Sequence, residues 1–400
     1  MNIEDNLIDY LISNFKGKKY ENLDLCRYNI SYHLHGDGEQ FKSSKKAYFS
    51  FDNQIRDLIE YFAIRLFHNR KVVKKRKILS SAYSSWNSHL SDLGYDVYSP
   101  TWNLRRNFKV NSSMKLYLLT KFIARSFIKR DFNYLISDDF NEKINNYYVL
   151  FKENVSLNNF SALVVPQDVS FFEKLAIKVF KELGKPTFFL AHGGMPLRYD
   201  GVMGNRTDYS IQWGKKQVDS FVKMGYDSSK FFISGHPSYN TKPKYLRFEF
   251  DKILVLTKSL TRVSPQDKAI IEDKGNAIMY LYSIQNVLEN IGIKNVLLRP
   301  NPSENYGWYR KFIDNSFYKE DKSDISNSLK KATLVIGPTS TSIIDSLYQG
   351  VNYVIYEPTI NNLTILGLPI TPPLDGSDAR IPIARSHQEL KEILFKKRKI

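Results

Sequence analysis

The chain of 400 residues contains one cysteine, Cys26. One thiol excludes an intrachain disulfide and any metal site built from a cysteine cluster, and it fits a reducing compartment. Long apolar runs are missing too. No stretch approaches the roughly 20 residues needed to cross a bilayer, and the opening Met1-Asn-Ile-Glu-Asp is acidic rather than basic-then-apolar, unlike a signal peptide. A soluble, cytoplasmic protein is expected. Low-complexity segments and repeats at solenoid periods are also lacking. Carboxylates are the scarcer charge: 41 acidic residues face 58 basic ones, a formal net charge of +17. That balance favours an anionic partner. The densest basic spots are Arg70–Lys77, Arg105-Arg106 and Lys396–Lys399. Zinc-finger spacing and RNA-binding aromatic signatures do not accompany them, so nucleic acid is not expected. An anionic membrane surface, a phosphate-rich substrate and a merely solvated basic face stay open.

A hydrophobic content of 42%, with 14% aromatic residues, is ample for folded cores. The length exceeds what one core usually holds, so two domains are expected. Apolar spacing predicts helices over Asp5–Phe15 and Phe51–Leu66, within a helical N-terminal extension covering 1–75. Tyr32–Glu39 reads as a polar turn; His33 and His35 beside Asp37 form a weak metal pattern, and a loop is the simpler reading. From Lys77 strands and helices alternate. Strands are predicted at 77–82, 95–99, 161–166, 187–190, 208–213 and 230–234, with a loop at Tyr83–Ser88 and helices at 89–94, 114–129, 138–153, 170–183 and 215–224. A polar, irregular stretch at 241–251 reads as a linker. The alternation then restarts, with strands at 252–257 and 295–300 and helices at 270–291, 323–331 and 389–397. The resulting division is 76–245, 246–385 and a basic terminal helix over 386–400.

Ala332–Pro358 is the most informative stretch. Leu334–Ile336 is a short apolar run, as in a buried parallel strand. Gly337-Pro338 breaks it. Thr339, Ser340, Thr341 and Ser342 suit a helix start, Ile343, Ile344 and Leu347 form its apolar face, and Gly350 stops it. Such a turn presents backbone N–H groups and hydroxyls at the positive end of a helix, which suits a phosphate. An ordinary capped connection would read the same way.

Polar residues recur where strands end, which is where open α/β sheets bind ligands. His192 follows the strand at 187–190, and Asp168 follows the strand before it. A histidine with a nearby carboxylate can act as a general base. Gly193 and Gly194 would let a substrate approach the backbone. His236 and Pro237 follow the strand at 230–234. Lys258 and Arg262 follow 252–257, and Arg299 closes the strand before Asn301.

In order, His192-Gly-Gly-Met-Pro-Leu-Arg198, Gly235-His-Pro-Ser-Tyr-Asn240, Leu298-Arg-Pro-Asn-Pro302 and Gly337-Pro-Thr-Ser-Thr-Ser342 with Asp345 resemble the motifs of a bacterial GT-B glycosyltransferase. The likeness is nearer to the capsule-polysaccharide and CDP-glycerol glycerophosphotransferase group, and it spans roughly residues 160–360. The departures are an additional Gly194, Arg198 in place of lysine, and Asn301 where the family usually has histidine. His236 is placed to substitute for that missing imidazole. The His-Pro pair is also similar to the nucleotide-contacting motif of bacterial sialyltransferases. The resemblance implies an α/β GT-B fold, with two Rossmann-like domains facing a central cleft. It implies transfer of a sugar from a CMP-, CDP- or UDP-linked donor, without metal or resident cofactor, to a glycan or lipid-linked acceptor. It assigns the donor to Thr339–Ser342, His236, Pro237, Lys258, Arg262 and Arg299, with Asp345 at the ribose. It assigns the acceptor to Gly193, Gly194 and Arg198, and the base to His192 with Asp168. The same architecture also serves UDP-sugar epimerases, and a scaffold without catalysis would share the basic surface.

Overall fold

A computed structural model describes residues 15, 17–35, 51–68, 76–104, 110–129, 132–190, 206–223, 225–235, 239, 249–258, 274–301, 304, 306–360, 363–364 and 381–398. The chain divides into two compact α/β units, with the boundary at Ser238/Tyr239. Each is built on a six-stranded, wholly parallel sheet, as in the Rossmann-like units of the GT-B class.

The first sheet comprises β1 (Lys77–Ser80), β2 (Asp96–Tyr98), β3 (Ala162–Val165), β4 (Thr187–Leu190), β5 (Tyr209–Gln212) and β6 (Phe231–Ile233), ordered β2-β1-β3-β4-β5-β6. Side chains alternate between its faces. Leu79, Leu163 and Val165 meet the helices at 17–35, 114–129, 138–157 and 171–182 in an aromatic-rich core. Ile78, Val164 and Leu190 point the other way, onto Trp86. Apolar residues on both faces of a strand give the continuous runs seen in the sequence. The helix Gly17–His35 contributes Leu23, Cys26 and Ile30 to the larger core, and burial pushes the Cys26 thiol above its ordinary range.

The second sheet comprises β7 (Ile253–Leu256), β8 (Val296–Arg299), β9 (Tyr318–Glu320), β10 (Leu334–Gly337), β11 (Asn352–Tyr356) and, after the small antiparallel pair β12 (Thr359–Ile360) and β13 (Leu363–Thr364), β14 (Ile383–Ala384). Its order is β14-β11-β10-β7-β8-β9. The chain builds outward from β7 through β8 to β9, then returns to the other side of β7 for β10, β11 and β14. Numbered from β7, this is the strand order of a dinucleotide-binding sheet, with its switch point between β7 and β10. One face packs on the helices at 274–290 and 387–398, the other on Leu329, Ile343 and Leu347.

Three local expectations change. The predicted turn at 32–39 is helical as far as His35. The predicted loop at 83–88 belongs to a helix, Ser84–Asp92. Asn87 ties it to the end of β1: Ser80 Oγ donates to Asn87 Oδ1 at 2.5 Å, and Asn87 Nδ2 donates to the Ala82 carbonyl at 3.0 Å. Strand β9 was not expected, because only Tyr318 of its three residues is buried. The helix predicted at 5–15 and most of the linker predicted at 241–251 lie outside the described residues.

Candidate functional site

Several polar residues of the second unit gather at the carboxyl ends of β7, β8, β10 and β11. After β7 come Thr257, which is buried, and Lys258. After β10 comes the loop from Gly337 to Thr341, and after β11 comes Glu357, whose exposure is 0%. Glu357 ties the other two together. Its Oε1 accepts the backbone N–H of Thr339 at 2.7 Å and lies 3.4 Å from the Lys258 ammonium. Its other oxygen, Oε2, and the Thr339 hydroxyl are buried without a hydrogen-bond partner among the described residues. A buried carboxylate needs compensation, and here the cation and the loop N–H supply it.

Gly337 is required for space. A Cβ there would lie 2.3 Å from the Tyr353 hydroxyl, which donates to the Pro338 carbonyl at 2.7 Å. Beyond it, Ser340 satisfies the helix start: its Oγ accepts the Ser342 N–H at 3.2 Å. Thr341, in the N-cap position, makes no side-chain cap bond. The helix Ser342–Gln349 ends at Gly350, whose φ of 79° is left-handed, as expected from the sequence. Asp345, one turn in, is half-buried and accepts the Tyr239 hydroxyl at 2.6 Å, while the Tyr239 ring packs against Tyr348. Burial raises the Asp345 carboxyl above its ordinary range, and the bond from Tyr239 pulls against that shift.

A second carboxylate organises the β8 side. Glu304 accepts the Asn301 N–H at 3.0 Å, the Tyr309 hydroxyl at 2.8 Å and the Thr257 hydroxyl. The Asn301 N–H also reaches Thr257 Oγ1, at 3.0 Å. Burial raises the Glu304 carboxyl, and these hydrogen bonds oppose the rise. Arg299 donates from Nε to the Ser323 carbonyl at 3.0 Å, on the β9 side of the sheet.

The structure therefore brings Lys258 and Thr339 together through Glu357, with Ser340, Thr341, Ser342 and Asp345 following in the same loop and helix. Arg299 is held toward the outer strand. His236, Pro237 and Arg262 lie outside the described residues. His192, Gly193, Gly194 and Arg198 do as well. Asp168 has an exposure of 0%, and its Oδ2 accepts the Arg206 N–H at 2.9 Å, tying the start of the segment leading to β5 to the end of β3. Among the described residues no group of three or more histidine, cysteine or acidic side chains is disposed to hold a metal, and no helix is long and apolar enough to cross a membrane.

Sequence reasoning missed Glu357, Glu304 and Tyr239. The available signal for Glu357 was an acidic residue directly after an apolar strand, at the same sheet edge as the hydroxyl-bearing loop.

No family model matches the sequence, and no curated protein does. Solved structures are similar in fold. The UDP-GlcNAc 2-epimerase of Methanocaldococcus jannaschii, in complex with UDP-GlcNAc and UDP, matches over 81% of this chain and 92% of its own, at 10% identity and a TM-score of 0.48. Acinetobacter baumannii MurG matches over 81% and 95%, at 9% identity and 0.39. The wall teichoic acid polymerase TagF matches over 88% and 90%, at 12% identity and 0.37.

Proposed function

We propose that the chain is a nucleotide-sugar glycosyltransferase. In this reading it moves a sugar or sugar-like group from a CMP-, CDP- or UDP-linked donor to a glycan or lipid-linked acceptor of a bacterial surface polysaccharide such as capsule or lipopolysaccharide. The observation that carries the reading is the convergence, at the switch point of a dinucleotide-ordered sheet, of a hydroxyl-bearing loop, an ammonium and a buried carboxylate that fixes both.

Transfer leaves negative charge on the departing phosphate. The Thr339–Ser342 segment and Lys258 would receive it, with Arg262, Arg299 and His236 as further cations or donors. These groups can stabilise the leaving group directly, so no metal-dependent step enters this mechanism. Asp345 would take a ribose hydroxyl in exchange for its bond from Tyr239. His192 would accept the acceptor's proton, with Gly193, Gly194 and Arg198 around the acceptor. Asp168 then orients the surrounding chain, which suits its burial. In this reading the enzyme works in the cytoplasm, at the inner face of the membrane, and its basic C-terminus adds attraction to anionic lipid.

Thermal unfolding with CMP, CDP, UDP, GDP and their sugar conjugates tests the donor. A ligand at about 100 times its Kd stabilises by roughly 2.7 kcal/mol, and the responding base names the donor class. No response to any of them at millimolar concentration removes the reading. Conversion of the donor's sugar without an acceptor would instead indicate an epimerase. His192→Ala should lower kcat about 10²–10⁴-fold with donor affinity kept; unchanged turnover removes His192 from the chemistry.

A further inference from the structure

The helix Phe171–Glu182 carries Lys174, Ile177, Lys178 and Lys181 on one face, because positions three, four and seven apart share a side of a helix. Together with Leu25 of the helix Gly17–His35 and with Arg206, they line a groove of about 480 Å³ that lies wholly within the first unit. Four cations line it against two carboxylates, Asp24 and Glu182, a surplus of two positive charges. The two carboxylates are already engaged elsewhere: Asp24 lies 2.9 Å from Arg27 and Glu182 lies 2.8 Å from Lys152. Lys178 and Lys181 find carboxylates beyond the groove, Glu21 at 3.2 Å and Asp208 at 3.4 Å. Lys174 is left over. Among the described residues it forms no ion pair, and its ammonium donates to the Asp24 carbonyl at 3.5 Å, a long bond. Burial lowers that ammonium to about 8, and the charge of Arg206 adds to the shift. Two cations that oppose each other in a concave surface are relieved by an anion placed between them.

Charge and volume narrow the ligand. A carboxylate would bring one negative charge. A phosphate monoester brings about two at neutral pH, with three acceptor oxygens, which matches the surplus and the donors of an ammonium and a guanidinium. The groove has room for more than a phosphate, and Leu25 and Ile177 offer apolar surface to an organic part. Among the described residues no aromatic ring lines it, so a nucleobase would have nothing to stack on. A compact sugar or aliphatic group fits better. We propose that this groove binds a small phosphate monoester of the sugar-phosphate class, with its phosphate between Lys174 and Arg206 and its carbon skeleton against Leu25 and Ile177. The site shares no residue with those assigned to donor or acceptor, and it does not rest on the transferase reading.

The test is isothermal titration of the full chain with glucose 6-phosphate, inorganic phosphate and glucose. Glucose 6-phosphate should bind, inorganic phosphate should bind more weakly, and glucose should give no heat. Lys174→Met should weaken glucose 6-phosphate binding at least about tenfold, as loss of a charged hydrogen bond does, with its melting temperature kept. Arg206→Gln should show a similar loss, and it serves if Lys174→Met misfolds. Lys143→Met removes the same charge from the same unit outside the groove, and should bind as wild type does. Wild type that ignores glucose 6-phosphate overturns the proposal, as does undiminished binding by the two groove variants. Equal losses in Lys174→Met and Lys143→Met would assign binding to net charge and overturn it as well. Inorganic phosphate binding as tightly as glucose 6-phosphate would leave the apolar lining without a part and overturn the monoester assignment. Sedimentation with phosphatidylcholine vesicles containing phosphatidic acid, with no heat from glucose 6-phosphate, would assign the same phosphate contacts to a lipid headgroup instead.

Discussion

The two units share a sheet of six parallel strands but place the reversal of strand order differently. In the first, only β2 lies on one side of β1, and β3 to β6 run away on the other. In the second, the switch falls in the middle, with three strands on each side. The buried carboxylates follow suit. Glu173 of the first unit braces a helix start, accepting from Trp102 Nε1 at 3.0 Å and from the Ser170 hydroxyl. It belongs to the scaffold. Glu357 holds an ammonium and a loop N–H at the central edge of the second sheet. Burial alone therefore does not mark a functional carboxylate; its position relative to the switch point and its charged partner do.

The largest effect should come from separating these two kinds of carboxylate. Glu357→Ala leaves the Lys258 ammonium unpaired and the Thr339 N–H without its acceptor. Removing one member of a fully buried pair costs about 3–5 kcal/mol. Lys258 retains 22% exposure, so about 2–4 kcal/mol is expected from urea unfolding. Glu173→Gln should cost much less, because burial already pushes the Glu173 carboxyl toward its neutral form, which glutamine imitates. Equal losses would erase the distinction between bracing and site carboxylates.

Next in size is a pair of glycines. Gly337→Ala puts a methyl against the buried Tyr353 hydroxyl and should cost about 1–3 kcal/mol, as overpacking does. Gly214, before the helix Lys215–Lys223, has nothing within 4 Å of an added Cβ. Gly214→Ala should be close to neutral in the same melting experiment. A neutral Gly337→Ala would mean that the β10 edge can yield, and that the glycine is not there for close packing.

The same contrast explains what was legible in the sequence. Strands such as Thr187–Leu190 and helices such as Met114–Lys129 are found where predicted, because apolar period and length are local properties. The loop after β10 and its Gly350 stop were legible for the same reason. Glu357 was not, since its meaning comes from Lys258 and Thr339, which are 99 and 18 positions away. Tyr239 and Asp345 are 106 apart. The helix at 84–92 was hidden by Asn87, a residue that favours turns; its side chain here bonds Ser80 and the Ala82 carbonyl, 7 and 5 positions before it.

Two titrating groups give smaller effects, one in each unit. Lys174, beside Arg206, is lowered to about 8, chiefly by burial and then by the Arg206 charge. Its folded form resists the proton more than its unfolded form does. The cost is complete below about pH 8 and disappears as pH rises toward the ordinary lysine range. Lys174→Met should therefore gain on the order of 1 kcal/mol at neutral pH, discounted for partial exposure. The gain should vanish in alkaline solution, and a pH-independent gain would assign it to packing.

Asp345 has the opposite sign. Its carboxyl is raised by burial, so the folded state holds a proton that the unfolded state has released. Stability is lost as pH climbs from the ordinary aspartate range through the raised value, and the penalty is complete above it. Asp345→Asn keeps an acceptor for Tyr239 but carries no charge. It should match wild type in acid and exceed it at neutral pH by less than about 1 kcal/mol, because the site is only half-buried. Nucleotide binding should move the other way. If Asp345 exchanges Tyr239 for a ribose hydroxyl, the variant should bind donor more weakly at neutral pH, where it is the more stable protein. Stability and donor affinity falling together would show that Asp345 only fastens Tyr239 to the helix, as Glu173 fastens Trp102 in the first unit.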